Sequence, residues 1–323
     1  MSTAMTSAAD VDVVVRAGGS HVARLLTRTE ARLGELAAGH GDVLARHATA
    51  TIAAGGKRLR PLLVLLAGGE PAVGADDAGL VRAAVAVELI HSATLVHDDV
   101  LDAAPLRRGR PTVWATHGRA AATATGDYLF ARAFGELVDN GRADEIRILS
   151  DASSALAAGE LLQREDAFRT DVTLERYLHR CELKTARLFE AACRLGALET
   201  GAPDEDLGAF GRRIGLAFQL LDDVLDVSGP VERTGKPRGT DLLDGTVTLP
   251  FILARELDPS LRDAARPETP DEAEALCDRI AASGALNDAR ARALEIVAEA
   301  KREMPAPDAA LLLVADSVVE RYS

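Results

Sequence analysis

Apolar residues recur at intervals of three and four through most of the chain, which is the spacing of amphipathic helices. Runs in which β-branched residues alternate with polar ones are rare. Glycine and proline interrupt the helical pattern near residues 68–79, 201–203, 228–245 and 258–270. None of these breaks resembles an interdomain linker. The pattern therefore predicts an all-α, single-domain protein over residues 11–323, after a disordered N-terminus at residues 1–10.

An acidic pentapeptide occurs twice. Asp98-Asp99-Val100-Leu101-Asp102 recurs letter for letter at residues 222–226. Residues 81–102 are apolar almost all the way round, which is typical of a helix buried inside a protein. Because residues four apart share one helix face, Asp98 and Asp102 are expected to project together, with Asp99 about 100° away. The repeat predicts two matching elements of one fold.

Carboxylates clustered at the C-terminal end of a buried helix are electrostatically unfavourable. They oppose the helix dipole, repel one another and lose hydration, so a cation is expected to compensate. Mg²⁺ prefers oxygen ligands, keeps several waters and usually joins one or two carboxylates to substrate phosphates. One Asp-Asp-x-x-Asp motif alone is equally well explained as a solvated helix end. Two copies on apolar helices favour a magnesium site that holds a diphosphate.

Two basic segments flank the first acidic cluster. Residues 55–61 read Gly-Gly-Lys-Arg-Leu-Arg-Pro, a flexible turn with three cations just before an apolar helix. Arg107-Arg108-Gly109-Arg110 follows the cluster, and guanidinium groups bind phosphate oxygens in pairs. Either segment alone is also explained as a solvated surface. With the acidic cluster between them, they indicate two anionic substrates.

Several polar residues occur singly in otherwise apolar surroundings. Lys184, Thr185 and Gln219 lie on predicted helices, and Lys236 lies in the polar break after the second acidic cluster. Each is a candidate for contact with a bound anion. Each alone is also explained as a surface residue or a hydrogen-bonded core group.

Composition narrows the class of protein. The 50 acidic and 37 basic residues give a formal net charge of −13, which argues against a nucleic-acid binder, because phosphate neutralisation needs excess lysine and arginine. The three cysteines lack CxxC spacing, so neither a disulfide framework nor a zinc site is expected. No signal-peptide pattern and no apolar run of about 18 residues is found, so a cytoplasmic protein is expected.

Taken in order, these motifs resemble the trans-polyprenyl diphosphate synthase family of the class I isoprenoid synthases. The resemblance rests on Gly-Gly-Lys-x-x-Arg-Pro at 55–61, the aspartate-rich motif at 91–102, Arg107-Arg108-Gly109, Gly126-Asp127, Lys184-Thr185, residues 218–226, Gly235-Lys236 and Thr248-Leu249-Pro250. It implies a helical bundle around a deep central cavity, a homodimer, Mg²⁺ as the cofactor and, through a lipid product, loose membrane association.

The resemblance also implies roles for individual residues. The main magnesium ligands would be Asp98, Asp102 and Asp222, with Asp99, Asp223 and Asp226 completing or supporting the shell. Isopentenyl diphosphate would bind to Lys57, Arg60, His91 and Arg108. The allylic diphosphate would bind to Arg107, Lys184, Thr185, Gln219 and Lys236.

The implied reaction joins isopentenyl diphosphate to an allylic prenyl diphosphate by magnesium-assisted ionisation. A class I terpene cyclase would also ionise a prenyl diphosphate, but it has no need of a second diphosphate site at Lys57 and Arg60. A regulatory subunit of a heteromeric synthase would be expected to have lost metal ligands, whereas both aspartate clusters are complete. An active prenyltransferase is therefore expected.

Two sequence features concern product length and substrate retention. Ala93 and Thr94 lie about one helical turn before Asp98. In the resembled family bulky aromatics at these positions are associated with short products, so the small side chains predict an open channel and products of geranylgeranyl length or longer. Residues 91–102 most resemble long-chain synthases, which favours long polyprenyl chains. Thr246 is a departure, because many relatives carry a lysine there.

Overall fold

The computed structural model of the protein describes residues 11–72, 76–229, 237–262, 264–304 and 308–320. The disordered segment predicted at residues 1–10 lies outside these ranges. Residues 11–17 are helical, and the helices that follow are α1 (Ser20–Ala38), α2 (Gly41–Ala53), α3 (Leu59–Gly68), α4 (Ala78–Leu101), α5 (Val113–Asn140), α6 (Ala143–Asp166), α7 (Leu174–Cys181), α8 (Arg187–Thr200), α9 (Asp204–Ser228), α10 (Thr240–Leu243), α11 (Leu249–Leu257), α12 (Pro270–Ala282), α13 (Ala285–Arg302) and α14 (Ala309–Glu320).

Strands are almost absent from the described ranges. The two found there, β1 (Leu106–Arg107) and β2 (Arg110–Pro111), form a short antiparallel hairpin between α4 and α5. A π-helical turn, Glu182–Ala186, joins α7 to α8, and a 3₁₀ turn, Pro259–Leu261, follows α11. The predicted all-α class is confirmed.

α4 lies at the centre of the bundle, as the apolar pattern of residues 81–102 predicts. It packs along α5 and also contacts α1, α3 and α8. Val85, Leu89 and Ile90 on this helix have no exposed surface. By length and composition α4 is apolar enough to cross a membrane, but 78% of its most apolar stretch is buried inside the protein. That degree of burial is typical of a core helix.

α8 connects the two helices that carry the acidic repeats. It packs on α4 and α9, and also on α3. The approach of α8 to α3 is close because residue 196 is glycine: a Cβ on Gly196 would lie 2.0 Å from the Val64 carbonyl oxygen. The C-terminal part of the chain then covers α9, mainly through α13. In this arrangement α4 and α9 end at the same cavity.

Gly196→Ala is expected to destabilise the fold, because the added methyl group has no room between α8 and the backbone of α3. The expected loss in unfolding free energy is about 1–3 kcal/mol, as for other overpacked sites. Gly34→Ala on α1 is the control, since nothing lies within 4 Å of an added Cβ there. It should stabilise the protein by about 0.5–1 kcal/mol. Urea unfolding measures both effects, and a Gly196→Ala variant as stable as the wild type would contradict the close contact.

Candidate active site

An open cavity of about 900 Å³ lies where α4 and α9 end. Of the described residues, six aspartates and five cationic side chains line it. The acidic side chains are Asp98, Asp102, Asp222, Asp223, Asp241 and Asp244, and the cationic ones are Arg107, Arg108, Arg164, Arg180 and Lys184. Both copies of the acidic repeat therefore meet at one cavity, together with one of the two predicted basic segments.

The first acidic cluster lies where α4 ends in a tight backbone turn. Ala103 has a left-handed conformation, with φ 50°, and the next N–H donates to the Asp99 carbonyl oxygen at 3.0 Å. Asp98 and Asp102 face the cavity. The Asp99 carboxylate instead accepts a hydrogen bond from Arg107 Nε at 2.7 Å. The structure thus separates Asp99 from the other two, as the helical spacing predicts.

On α9, hydrogen bonds within the protein hold the Asp223 carboxylate. Its two oxygens accept from the Tyr177 hydroxyl and from Gln219 Nε2, both at 2.7 Å. Thr185 Oγ1 donates to Gln219 Oε1 at 2.6 Å, which fixes the amide. Burial raises the pKa of Asp223 to about 6. Asp223 and its neighbour Asp222 both line the cavity, and protein donors already hold the Asp223 carboxylate.

Asp226 does not line the cavity but anchors the segment that follows α9. Its Oδ2 accepts from the Asp241 N–H at 3.2 Å, and its carbonyl oxygen accepts from the Gly239 N–H at 2.9 Å. These bonds hold α10 against the end of α9. Asp241 and Asp244, which the sequence analysis did not single out, reach the cavity from this segment.

The donors around the cavity fit a hard divalent cation. The candidate ligands are carboxylate oxygens, which Mg²⁺ prefers. Among the described residues, no three acidic, histidine or cysteine side chains stand close enough to form a complete metal site. Arg164 Nη2 donates to Asp102 Oδ1 at 2.6 Å, and burial raises the pKa of Asp98 to about 6. These residues fit Mg²⁺ if substrate oxygens complete its coordination.

The β1–β2 hairpin directs two arginines to different places. Arg108 and Gly109 form its two-residue turn, with φ 52° and 73°, the positive values that a type I′ turn requires. Arg107 reaches back to Asp99. Arg108 instead approaches the Gly-Gly turn, since a Cβ on Gly56 would lie 2.9 Å from Arg108 Nη1. The two predicted basic segments therefore meet.

Arg60 places a buried positive charge near Arg108. Its Nε is buried with no hydrogen-bond partner, and its guanidinium lies 4.8 Å from the centroid of the Phe189 ring. Burial lowers the pKa of Arg60 to about 10; Glu88 opposes the shift and Arg108 adds to it. Burial and the nearby arginines lower the pKa of His91 well below its ordinary value, which keeps the imidazole neutral. This group of side chains is suited to bind an anion.

Arg58, the third cation of the first basic segment, has a structural role instead. Its guanidinium donates to Glu30 at 2.5 Å and to Glu88 at 2.6 Å. It also has a left-handed conformation, with φ 49°, immediately before α3 begins. These ion pairs hold the turn in which Lys57 lies half-buried.

Lys184 enters the cavity from the π-helical turn Glu182–Ala186. Such turns occur frequently at functional sites. α6 approaches the turn so closely that a Cβ on Gly159 would lie 2.7 Å from the Lys184 backbone nitrogen. Lys184 Nζ donates to the Glu160 carboxylate and, at 3.2 Å, to Gln163 Oε1. The absence of a side chain at residue 159 thus lets α6 support this lysine.

The cavity residues Gln163, Arg164 and Arg180 belong to none of the motifs predicted from the sequence. Arg164 lies one turn after Glu160, and its Nε donates to Glu160 Oε1 at 2.7 Å. Glu160, Gln163 and Arg164 are spaced as one helix face. In the sequence, this spacing could have pointed to a polar helix face at the cavity, but it is equally typical of a solvated surface helix.

The remaining predicted site residues, Lys236, Ala93 and Thr94, are also not among the described residues that line the cavity. Lys236 lies outside the described residues. Ala93 has no exposed surface, and Thr94 is half-buried, with its Oγ1 donating to the His91 carbonyl oxygen at 2.8 Å. The expected open channel does not pass Ala93 in this structure, because its methyl group lies in the packed core. A product tail that extends past Ala93 must displace its neighbours, and the effect of this position on product length stays a prediction.

Comparison with known proteins places the chain among prenyl diphosphate synthases. It is 47% identical over 205 residues to heptaprenyl diphosphate synthase component 2 of Geobacillus stearothermophilus, which covers 62% of this chain and 63% of that protein. It is 38% identical over 283 residues to geranylgeranyl diphosphate synthase of Methanosarcina mazei, which covers 83% of this chain and 86% of that protein. The first alignment spans less than two thirds of the relative's length.

Solved structures match over almost the whole chain. Heptaprenyl diphosphate synthase from Staphylococcus aureus has a TM-score of 0.86 at 30% identity, covering 94% of this chain and 99% of that one. Polyprenyl synthase from Caulobacter crescentus, complexed with calcium and isoprenyl diphosphate, has a TM-score of 0.84 at 35% identity, covering 98% of both chains. The isoprenoid synthase fold is confirmed. Residues 42–280 also match the family model described as polyprenyl synthetase, and the chain therefore belongs to that family.

Proposed function

We propose that this protein is a polyprenyl diphosphate synthase, a prenyltransferase that condenses isopentenyl diphosphate with an allylic prenyl diphosphate. The observation that carries the proposal is the presence of two kinds of site at one end of the bundle. Aspartates from α4 and α9 face one cavity, and the half-buried Arg60, whose Nε is buried, lies in a cationic group nearby. A condensation of two diphosphates requires both.

Asp98, Asp102 and Asp222 would hold Mg²⁺. Carboxylates that face one cavity from two helices can bind ions whose remaining ligands are water and diphosphate oxygens. When bound, Mg²⁺ would neutralise the charge that builds on the departing diphosphate. The Caulobacter crescentus relative, whose structure contains calcium and isoprenyl diphosphate, supports a divalent cation.

Arg107, Lys184 and Gln219 would hold the allylic diphosphate. All three line the cavity with the aspartates. Their N–H groups would stabilise the negative charge that appears on the diphosphate oxygens as the allylic C–O bond breaks. Thr185 would act through Gln219, because its hydroxyl fixes the amide. The sequence resemblance adds Lys236 to this group.

Arg60, His91 and Arg108 would hold isopentenyl diphosphate, with Lys57 contributing from the same turn. The neutral imidazole of His91 can donate a hydrogen bond without adding charge. Cleavage of the allylic C–O bond would release diphosphate and leave an allylic carbocation, and the double bond of isopentenyl diphosphate would attack that cation to form the new C–C bond. Loss of a proton then restores a double bond, and the released diphosphate is proposed to accept that proton.

A second candidate is the catalytic component of a two-part synthase, because one relative at 47% identity is named component 2. We propose instead that the chain acts alone as a cytoplasmic homodimer, with loose membrane association through a long product. The Arg60 site disfavours a terpene cyclase. The facing carboxylates of Asp98, Asp102 and Asp222 disfavour a subunit that only regulates.

The direct test is to incubate the purified chain with Mg²⁺, labelled isopentenyl diphosphate and allylic primers of graded length. Products of geranylgeranyl length or longer are expected without any added component. Activity that requires a second protein would favour the two-part synthase. A cyclic hydrocarbon as the product, or no use of isopentenyl diphosphate in any mixture, would refute the proposal.

Asp98→Ala and Asp222→Ala are each expected to abolish turnover, because each removes a proposed magnesium ligand. Steady-state rates measure the loss, and far-ultraviolet circular dichroism should show an unchanged helical fold. Asp151→Ala is the control, since Asp151 is exposed on α6. A loss of less than about tenfold, roughly 1.4 kcal/mol in activation free energy, would count against the metal assignment.

Arg60→Ala is expected to raise KM for isopentenyl diphosphate by about tenfold or more, as for loss of a charged hydrogen-bond donor. KM for the allylic primer should change much less, because that substrate occupies the aspartate-lined cavity. Arg147→Ala, an exposed position on α6, is the control. Equal changes in both KM values would contradict the assignment of the two substrates to separate sites.

Ala93→Phe is expected to shorten the products, because a phenyl group fills the space that a growing tail must open below Asp98. Radiochromatography of the products measures the ladder, and the first condensation should keep most of its rate. Ala93→Ser, which adds one oxygen atom, should leave the ladder unchanged. An unchanged ladder in Ala93→Phe, or a wild type that stops at farnesyl diphosphate, would contradict this account of product length.

A further inference from the structure

Arg164 is a cavity cation that belongs to none of the motifs in the sequence. It lies near the end of α6, and 39% of its side chain is exposed. Its Nη2 donates to Asp102 Oδ1 at 2.6 Å, and its Nε donates to Glu160 Oε1 at 2.7 Å. The guanidinium thus connects α6 to the end of α4. One of its two partners is a proposed magnesium ligand.

Thr246 lines the same cavity from the segment between α10 and α11. Threonine carries no charge, so residue 246 adds no cation to the cavity. The segment is attached to the chain just after α6, because the Phe168 N–H donates to the Gly245 carbonyl oxygen at 2.8 Å. Phe168 follows Arg164 by four residues. Arg164 and Thr246 therefore approach the cavity from neighbouring backbone.

Arg164 could bind an added anion if one of its two present partners, Asp102, were bound to a metal ion instead. A magnesium ion on Asp102 would remove one acceptor from the guanidinium, whereas Glu160 would keep the side chain at the cavity. Glu160 also accepts from Lys184, so α6 supports two cations at this point. A guanidinium carries five N–H donors in a planar fork and can bind two phosphate oxygens at once. The donors released by Asp102 would therefore suit a diphosphate.

We propose that Arg164 binds the allylic diphosphate from α6, beside the uncharged Thr246. The proposal rests on the proposed prenyltransferase function. The competing explanation is that Arg164 only occupies Asp102 until a metal binds. Removal of Arg164 would then strengthen magnesium binding and leave diphosphate binding unchanged.

Three variants separate these explanations. Arg164→Gln removes the charge while keeping a good helix former. Arg164→Gln/Thr246→Lys returns a cation from the neighbouring segment. Arg142→Gln is the matched control, because Arg142 has the same exposed fraction of 39%, pairs with Asp144 and lies at the opposite end of α6. Calorimetry measures binding of inorganic diphosphate in the presence of Mg²⁺, and kinetics give KM for farnesyl diphosphate and isopentenyl diphosphate.

Arg164→Gln should weaken diphosphate binding about tenfold and raise KM for farnesyl diphosphate by a similar factor, with KM for isopentenyl diphosphate changed by less than about twofold. The double variant should recover most of the loss, and Arg142→Gln should match the wild type.

Unchanged diphosphate binding in Arg164→Gln, with or without tighter magnesium binding, would overturn the assignment. A double variant no better than Arg164→Gln would contradict a single diphosphate site that both Arg164 and residue 246 can reach. A wild type that needs Arg164 to bind diphosphate but forms no prenyl product would uphold the site and refute the proposed function.

Discussion

Repulsion among carboxylates at the ends of α4 and α9 is the constraint on which the site depends. Six aspartates of the described ranges line one cavity, and burial raises the pKa of Asp98 and of Asp223 to about 6. Cations from other elements offset this charge: Arg107 on the hairpin binds Asp99, and Arg164 on α6 binds Asp102. Guanidinium groups are also good phosphate ligands. In the proposed function, a bound metal ion would replace the arginines as partner of the aspartates. The diphosphate would replace the aspartates as partner of the arginines.

The bundle provides this charge balance by fixing where the helices end. α8 packs on both α4 and α9, and the close approach at Gly196 anchors it to α3. A second close approach, at Gly159, sets the π-helical turn that carries Lys184 against α6. Low-dielectric surroundings strengthen each ionic interaction relative to water. Close packing at two glycines, Gly159 on α6 and Gly196 on α8, thus helps to determine which charges meet at the cavity.

The fold class and the shared orientation of Asp98 and Asp102 could be predicted because both follow from helical periodicity. The spacing of four residues places Asp98 and Asp102 together and turns Asp99 away, as the structure shows. Contacts between elements distant in sequence could not be predicted this way. The pairing of Arg164 with Asp102 and the approach of Arg108 to the Gly-Gly turn depend on tertiary packing.

Small side chains were the least informative part of the sequence. A small residue on a buried helix can line an open channel or can permit close packing, and the sequence does not distinguish these cases. Ala93 was expected beside an open channel, yet it has no exposed surface. Interiors pack to nearly crystalline density, so a small side chain is usually matched by a closer neighbour. A product tail that runs past Ala93 would therefore have to displace the surrounding side chains.

The central claim is that substrate oxygens complete the magnesium site. Calorimetric titration of the purified protein with Mg²⁺, with and without inorganic diphosphate, tests it most directly. The account predicts weak binding of Mg²⁺ alone, binding at least about tenfold tighter with diphosphate present, and loss of that gain in Asp222→Ala. Equally tight binding of Mg²⁺ without diphosphate, or a gain that persists in Asp222→Ala, would contradict the account.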